Sequence, residues 1–398
     1  MIEAGDRTAP HLPPVAALVD AEMVRISRDL DWLRAVTPCG TQDLWDEFRS
    51  GNFRIAPRFH YREPGIDIAA TRKRLLALPV REIEDPLFKA LLAEKQRELE
   101  RQLELVELRS TDGFLQASTD LFGTATPELH ADALHILDAV APSPNLTVQF
   151  VDADRVTEAA LKHFEHYRSK CPDFSANVRR SRNITAGLMV SHNTLFVSEH
   201  ARIPRERLDA LLHHEIGTHI LTWHNGGHQP LHQLQSGLAH YDELQEGIGV
   251  LAEYLAGNLS SLRLRTLAAR VVAVRLLSDG GGFSEVFDVL RSGHGFSGRS
   301  AFIVTTRVFR GGGLTKDVVY LRGLKRLLSY LREGHSFEQL LIGKFSLSQL
   351  PAIRKLAKTG WVNPPRLMPA YTHNAAAQER LAECVRVPLD GLYQRLVA

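Results

Sequence analysis

Residues 208–227 read LDALLHHEIGTHILTWHNGG. Leu208, Leu211 and Leu212 give an apolar face one or two turns ahead of a run of histidines, which predicts a helix from Arg205 to Leu221. His214 and His219 stand five residues apart, with Glu215 beside the first. The common H-E-x-x-H pattern sets two imidazoles four apart on one helix face, where both reach a single zinc ion. Five residues turn an ideal helix by ~140°, which splays the two rings. A one-residue bulge of the π type brings them back together, and such bulges occur at functional sites. Gly217 lies inside this stretch. It weakens a regular helix by about 1 kcal/mol relative to Ala, yet it accepts a distorted backbone. A bulged turn around Ile216–Thr218 is therefore predicted.

Other histidine pairs fit less well. Gly217, four residues after His213, offers no ligand, and His213 and His219 are six apart. His224, His228 and His232 recur every four residues, but Asn225, Gly226, Gly227 and Pro230 interrupt a helix there. These histidines read as loop or pocket residues. A third metal ligand should come from another segment. DELQEGIGVLAEY (242–254) lies in a predicted helix, Tyr241 to Leu259, with Glu243, Glu246 and Glu253 on one broad face. Gly247 and Gly249 flank Glu246 closely and permit two helices to approach, so Glu246 is the preferred ligand. Glu243 and Glu253 remain as alternatives, or as partners that orient the imidazoles. Zinc takes imidazole nitrogen and carboxylate oxygen, and a catalytic site keeps one position for water. A glutamate beside a ligand can accept that water's proton, because the metal lowers the water pKa toward ~7. Glu215 fits this role, with one Zn2+ per chain.

Composition leaves that chemistry room. The chain has 398 residues, 44% hydrophobic and 24% charged, which is an ordinary globular balance able to bury a core. Lys plus Arg number 48 against 46 Asp plus Glu, so a dedicated nucleic-acid protein is not expected. Several of the 18 histidines crowd between residues 192 and 240, which favours metal chemistry. Cys39, Cys171 and Cys384 are far apart and in no C-x-x-C spacing, so they read as reduced thiols. The N-terminus lacks the basic start and apolar run of a signal peptide, and no segment suits a membrane span. A cytoplasmic protein with no nucleic-acid or membrane partner is expected.

Residues 1–14 are polar and read as loose, Val15–Val36 as helical and Gln42–Gly65 as irregular. Residues 66–110 read as helical, with Asp85-Pro86 starting one helix, and Pro127–Val140 as another. LTVQFVDA (146–153) reads as a strand. ITAGLMVS (184–191) and LFVSE (195–199) read as a hairpin. Further helices follow to the end, with Gly-rich breaks at 279–283 and 310–317. The expected organisation is an N-terminal segment (1–65, a possible lid), a helical region (66–145) and a catalytic domain (146–398).

HEIGTH followed by NGGHQPLHQLQSGLAHYDELQEGIGVLAEYL resembles the QEGLA-motif family of bacterial proteins, labelled flavohaemoglobin-expression-modulating, which also includes the microtubule-associated tyrosine carboxypeptidases. DGGGFSEVF (279–287) and RVFRGGGLTKDVVYLRGL (307–324) fit the same family. The resemblance spans about residues 75–375. It implies an α+β, mostly helical, zincin-like metallopeptidase domain with a small β-sheet. Zinc would be held by His214, His219 and Glu246, with Glu215 as general base. The name-giving motif departs at Ile248 and Gly249, and neither change removes chemistry.

The implied activity is removal of C-terminal residues, aromatic ones among them, from a peptide or protein tail. Tyr241, Tyr320 and His224 are candidate donors to the developing oxyanion. Arg307, Arg310, Lys316 and Arg322 surround a glycine run and could hold a terminal carboxylate, with His224 and Asn225 as further substrate contacts. Two rivals stand beside this: a zinc hydrolase of a small amide or ester, and a non-catalytic regulatory protein on the same fold.

Overall fold

The computed structural model describes residues 11–142, 149–182, 184 and 187–393. It is mostly helical with a small sheet, an α+β architecture. Pro14–Leu30 is a helix whose apolar face, Ala16, Val19, Met23, Ile26 and Leu30, is buried. Asp20 lies on that face. Its carboxylate accepts from the backbone N–H of His232 (2.8 Å) and Gln233 (2.9 Å), satisfying the start of the short helix Gln233–Ser236. Asp31, at φ 30°, breaks the expected run to Val36 into two pieces.

Gln42–Gly65 is not irregular throughout. Thr41–Ser50 is a helix that buries Leu44 and Phe48, and the Phe48 ring packs on Phe53, Phe283, Phe287 and Phe302. Three of these four partners are distant in sequence. Asp85 caps Pro86–Glu107 by accepting from Leu87 and Phe88 N–H. Pro127–Ala139 packs on Ser261–Ser278.

Residues 1–10 of the polar N-terminus, and 146–148 of the strand expected at 146–153, lie outside the described residues. Phe150–Val151 is a two-residue strand (β1), and Asp152 then caps a helix, Ala153–Lys170, instead of continuing it. The main sheet contains Asn177–Ser181 (β2), Leu188–Ser191 (β3) and Thr194–Ser198 (β4), ordered β2-β4-β3. β3 and β4 form the predicted hairpin, while β2 runs parallel to β4. Thr185 and Ala186, in the first strand of that predicted hairpin, also fall outside the described residues. Ile203–Pro204 (β5) pairs antiparallel with β1.

Two apolar clusters organise the chain. The larger joins residues 16–140 to residues 231–392. The smaller is built from residues 153–221 with Leu367. Leu212, Ile216, Ile220 and Leu221 pack into the smaller one, and Leu244, Ile248 and Leu251 into the larger. The histidine-bearing segment and the Glu246 helix therefore face each other across the seam. Tyr241–Leu255 crosses Val318–Arg332 with no room for side chains: a Cβ on Gly247 would lie 2.6 Å from Gly323 C. No helix among the described residues is long and apolar enough to cross a membrane. The three cysteines are free thiols.

Candidate metal centre

The helix that starts at Leu208 widens at Glu215–Ile220 into a π-helical turn and resumes as Leu221–Gly227. The extra residue offsets the five-residue spacing, and the His214 and His219 rings come within 5.1 Å of each other, centroid to centroid. The helix continues through Asn225–Gly227, against the sequence expectation. Asn225 explains this: its side chain donates to Leu341 O and Leu367 O and accepts from Leu367 N–H, so tertiary contacts override weak propensity.

Glu246 approaches from the facing helix. Its Oε2 lies 3.4 Å from His214 Nε2 and 3.8 Å from His219 Nε2. Two ligand atoms at zinc-bond length and a tetrahedral angle are about 3.3–3.4 Å apart, so these three donors fit one divalent ion. His214 Nδ1–H donates to Glu253 Oε1 (2.9 Å), which fixes the tautomer and points Nε2 at Glu246. Glu253 is buried and held in turn by Arg263 (2.9 Å), with Arg207 at 3.5 Å. Thr222 donates to Gln245 Oε1 (2.7 Å), tying the two ligand-bearing helices together.

Electrostatics favour a cation at this point. Burial opposes a charged His214, but hydrogen bonds to Glu246 and Glu253 outweigh it and raise its pKa to about 10. Burial lowers His219 to about 3, leaving a neutral donor. Burial works to raise Glu246, yet His214 and Lys316 hold it well below the usual carboxylate range. Glu215 is raised to about 7, chiefly by burial and further by Glu246 and Glu253, against the opposing pull of His214.

Gly249 makes the ring position possible. A Cβ there would lie 2.6 Å from His214 Cε1 and 2.7 Å from Nε2. The ring cannot slide away without losing Glu253. Gly249→Ala is expected to weaken divalent-ion binding by about 10-fold or more, as loss of an orienting contact does. The fold should survive with a cost of about 1–3 kcal/mol from overpacking. A chelator-competition titration beside a thermal melt checks both, and unchanged affinity would contradict the steric role.

The donors open into a cavity of about 580 Å³. His214, Glu215, His219, Glu246 and Tyr320 line one side. Leu188, Met189, Val190 and Phe196 from the sheet line another, and Asp31, Leu33, Arg34, Thr37 and Arg62 close it from the N-terminal segment. Arg109 donates to Ala35 O and Arg62 O, holding that segment in place. No sequence signal pointed to these wall residues, because they are brought in by long-range packing alone.

Arg307, Arg310 and Lys316 form the basic wall. Arg307 is bidentate on Asp317 (2.6 and 2.7 Å), and Arg270 reaches the same carboxylate at 3.5 Å. Arg310 is buried with no carboxylate of its own among the described residues, and its Nε finds no hydrogen-bond partner. Burial, then the charge of Arg307, lowers it to about 10. Lys316 pairs with Asp242 (2.9 Å) and lies 3.7 Å from Glu246 Oε1. The Tyr320 ring is flanked by Arg270 and Lys316.

The other sequence candidates lie elsewhere. Tyr241 does not line the cavity: its ring sits near the ammonium groups of Lys95 and Lys344. Arg322 pairs with Glu243 and donates to Phe122 O, lining a separate cavity of about 380 Å³. His224 faces Cys171, and Asn225 is spent on the backbone contacts above. The glycine run presents no free anion cradle at Gly311, whose N–H donates to Tyr61 Oη.

Fold and site together define an α+β protein with a candidate divalent-ion centre at the bottom of a partly basic cavity. The chain belongs to the microtubule-associated tyrosine carboxypeptidase family, whose sequence model matches residues 46–387. Among solved structures, a proposed lipoprotein from Colwellia psychrerythraea is similar at 11% identity and a TM-score of 0.44, covering 86% of this chain and 69% of that one. No curated protein matches.

Proposed function

We infer that this chain is a zinc-dependent carboxypeptidase that removes C-terminal residues from a peptide or protein tail. The observation that carries this reading is one cavity with three clustered donors and Glu215 on one side, and on another a buried guanidinium, Arg310, that has no carboxylate within ion-pair distance among the described residues. The matching family, named for a tyrosine carboxypeptidase, supports the peptidase class. His214, His219 and Glu246 would hold the ion. Zinc bound there would supply Lewis-acid polarisation of the scissile carbonyl and acidify water toward neutrality.

The chain's own residues would do the rest. Glu215 lines the cavity beside the donors and is placed to take a proton from the attacking water and return it to the leaving amine. Tyr320 is the donor for the developing oxyanion. Arg310, with Lys316, would take the terminal carboxylate, while Arg307 stays committed to Asp317. Leu188, Met189 and Phe196 offer an apolar wall suited to an aromatic side chain next to that carboxylate.

Peptides with a free C-terminus should be shortened, and the same peptides amidated should not. Arg310→Met is expected to lower kcat/KM for free-acid peptides by about 10- to 100-fold, the worth of a charged hydrogen bond. Mass spectrometry of the products reads both. Equal cleavage of amidated peptides would remove the carboxylate role. Cleavage of neither would turn the reading toward a small amide or ester.

A further inference from the structure

A second group of metal-ligating side chains lies apart from the cavity. Cys171 and Asp173 sit in the turn that ends the helix Ala153–Lys170, and His224 projects from Leu221–Gly227. Cys171 and His224 are buried. Cys171 Sγ lies 3.7 Å from His224 Nε2 and 2.6 Å from Asp173 Oδ1. One ligand atom from each residue falls within 4.8 Å of the others. A thiolate and an imidazole on one tetrahedral zinc ion are about 3.6 Å apart, which matches the first distance, while the shorter one is a thiol hydrogen bond that would open by about 1 Å when an ion displaces its proton.

We propose that Cys171, Asp173 and His224 form a second site for a soft divalent cation of the zinc class, separate from His214, His219 and Glu246. Several features support it. The other oxygen of Asp173 is held by His228 Nε2 (2.9 Å) and Arg366 Nη1 (2.8 Å), which leaves Oδ1 facing the thiol. His228 Nδ1–H donates to His224 O (2.9 Å), so His228 positions both the carboxylate and the ligand helix. Thiolate with imidazole and carboxylate selects zinc-class ions over calcium or magnesium. On binding, the Cys171 proton leaves to solvent and the thiolate takes its place on the cation. Such an ion would clip the turn after Ala153–Lys170 to the helix that directly continues the His219 turn.

Sulfur makes the test selective. Neither the candidate catalytic donors nor the neighbouring His163, Asp209 and His213 group contains a thiol. Full-length protein loaded with cobalt(II) should show a thiolate-to-cobalt charge-transfer band in the near ultraviolet. Zinc-edge absorption should show a sulfur scatterer at about 2.3 Å. Cys171→Ser should abolish the band and remove one equivalent of zinc. His224→Gln keeps the thiol and should weaken ion binding at this site by at least tenfold, so it reads the same site if the serine variant fails to fold. No charge-transfer band in the wild type, or a band that persists in Cys171→Ser, overturns the proposal. A sulfur-bound ion with no peptide cleavage would sink the peptidase reading and leave this site standing. Cleavage with a nitrogen- and oxygen-only ion would do the reverse.

Discussion

Glu215→Gln should abolish turnover while leaving divalent-ion content and folding intact. A positioned general base contributes about 10²- to 10⁴-fold, so the loss corresponds to about 3–5 kcal/mol in the barrier. Glutamine keeps the shape but cannot accept the proton. Glu215 is not one of the three clustered ion donors, which explains why ion binding should persist. Stability should hold or rise. The Glu215 carboxylate is raised to about 7 chiefly because its charge is buried, and the amide removes that cost. Single-turnover kinetics on a free-acid peptide, beside metal analysis and a melt, measure all three. Turnover within tenfold of wild type would remove Glu215 from the chemistry.

Glu253→Gln should be the most damaging change outside the ion donors. Glu253 is fully buried, accepts from His214 Nδ1 and neutralises Arg263. The amide oxygen can still accept from His214 but leaves a buried guanidinium without its countercharge. Breaking a buried pair in this way costs about 3–5 kcal/mol. Adding Arg263→Met removes the orphaned charge and should restore much of the stability. Ion affinity should stay about 10- to 100-fold below wild type in the double variant, since the anionic support of His214 is still missing. Denaturant unfolding and ion titration of both variants separate the two roles. Full stability of Glu253→Gln alone would mean that Arg263 is satisfied elsewhere.

The clustering of the candidate donors His214, His219 and Glu246 was legible because it follows from short spacings. The five-residue spacing of His214 and His219, with Gly217 between, required a widened turn, and Glu215–Ile220 is one. Glu246 stood out by its glycines, and both serve close approach: Gly247 to Gly323, Gly249 to the His214 ring. Of the two further glutamates, Glu253 orients His214, whereas Glu243 pairs with Arg322 and Arg326 away from the donors. What stayed hidden depends on distant partners. Tyr241 and Arg322 are engaged by Lys95, Lys344 and Glu243, contacts that local sequence does not reveal. Arg310 and Arg307 are three residues apart and look alike, but only Arg307 is matched by Asp317. The Thr41–Ser50 helix depends on aromatic partners more than two hundred residues away, and the wall from Asp31 to Arg62 on Arg109, which no local periodicity reports.

Crystals of the zinc-loaded protein, measured on either side of the zinc absorption edge, give the most direct test. An anomalous peak enclosed by His214 Nε2, His219 Nε2 and the Glu246 carboxylate is expected, with bonds of about 2.0–2.2 Å. Well-ordered side chains at those residues with no peak between them would contradict the ion centre and the hydrolytic chemistry built on it.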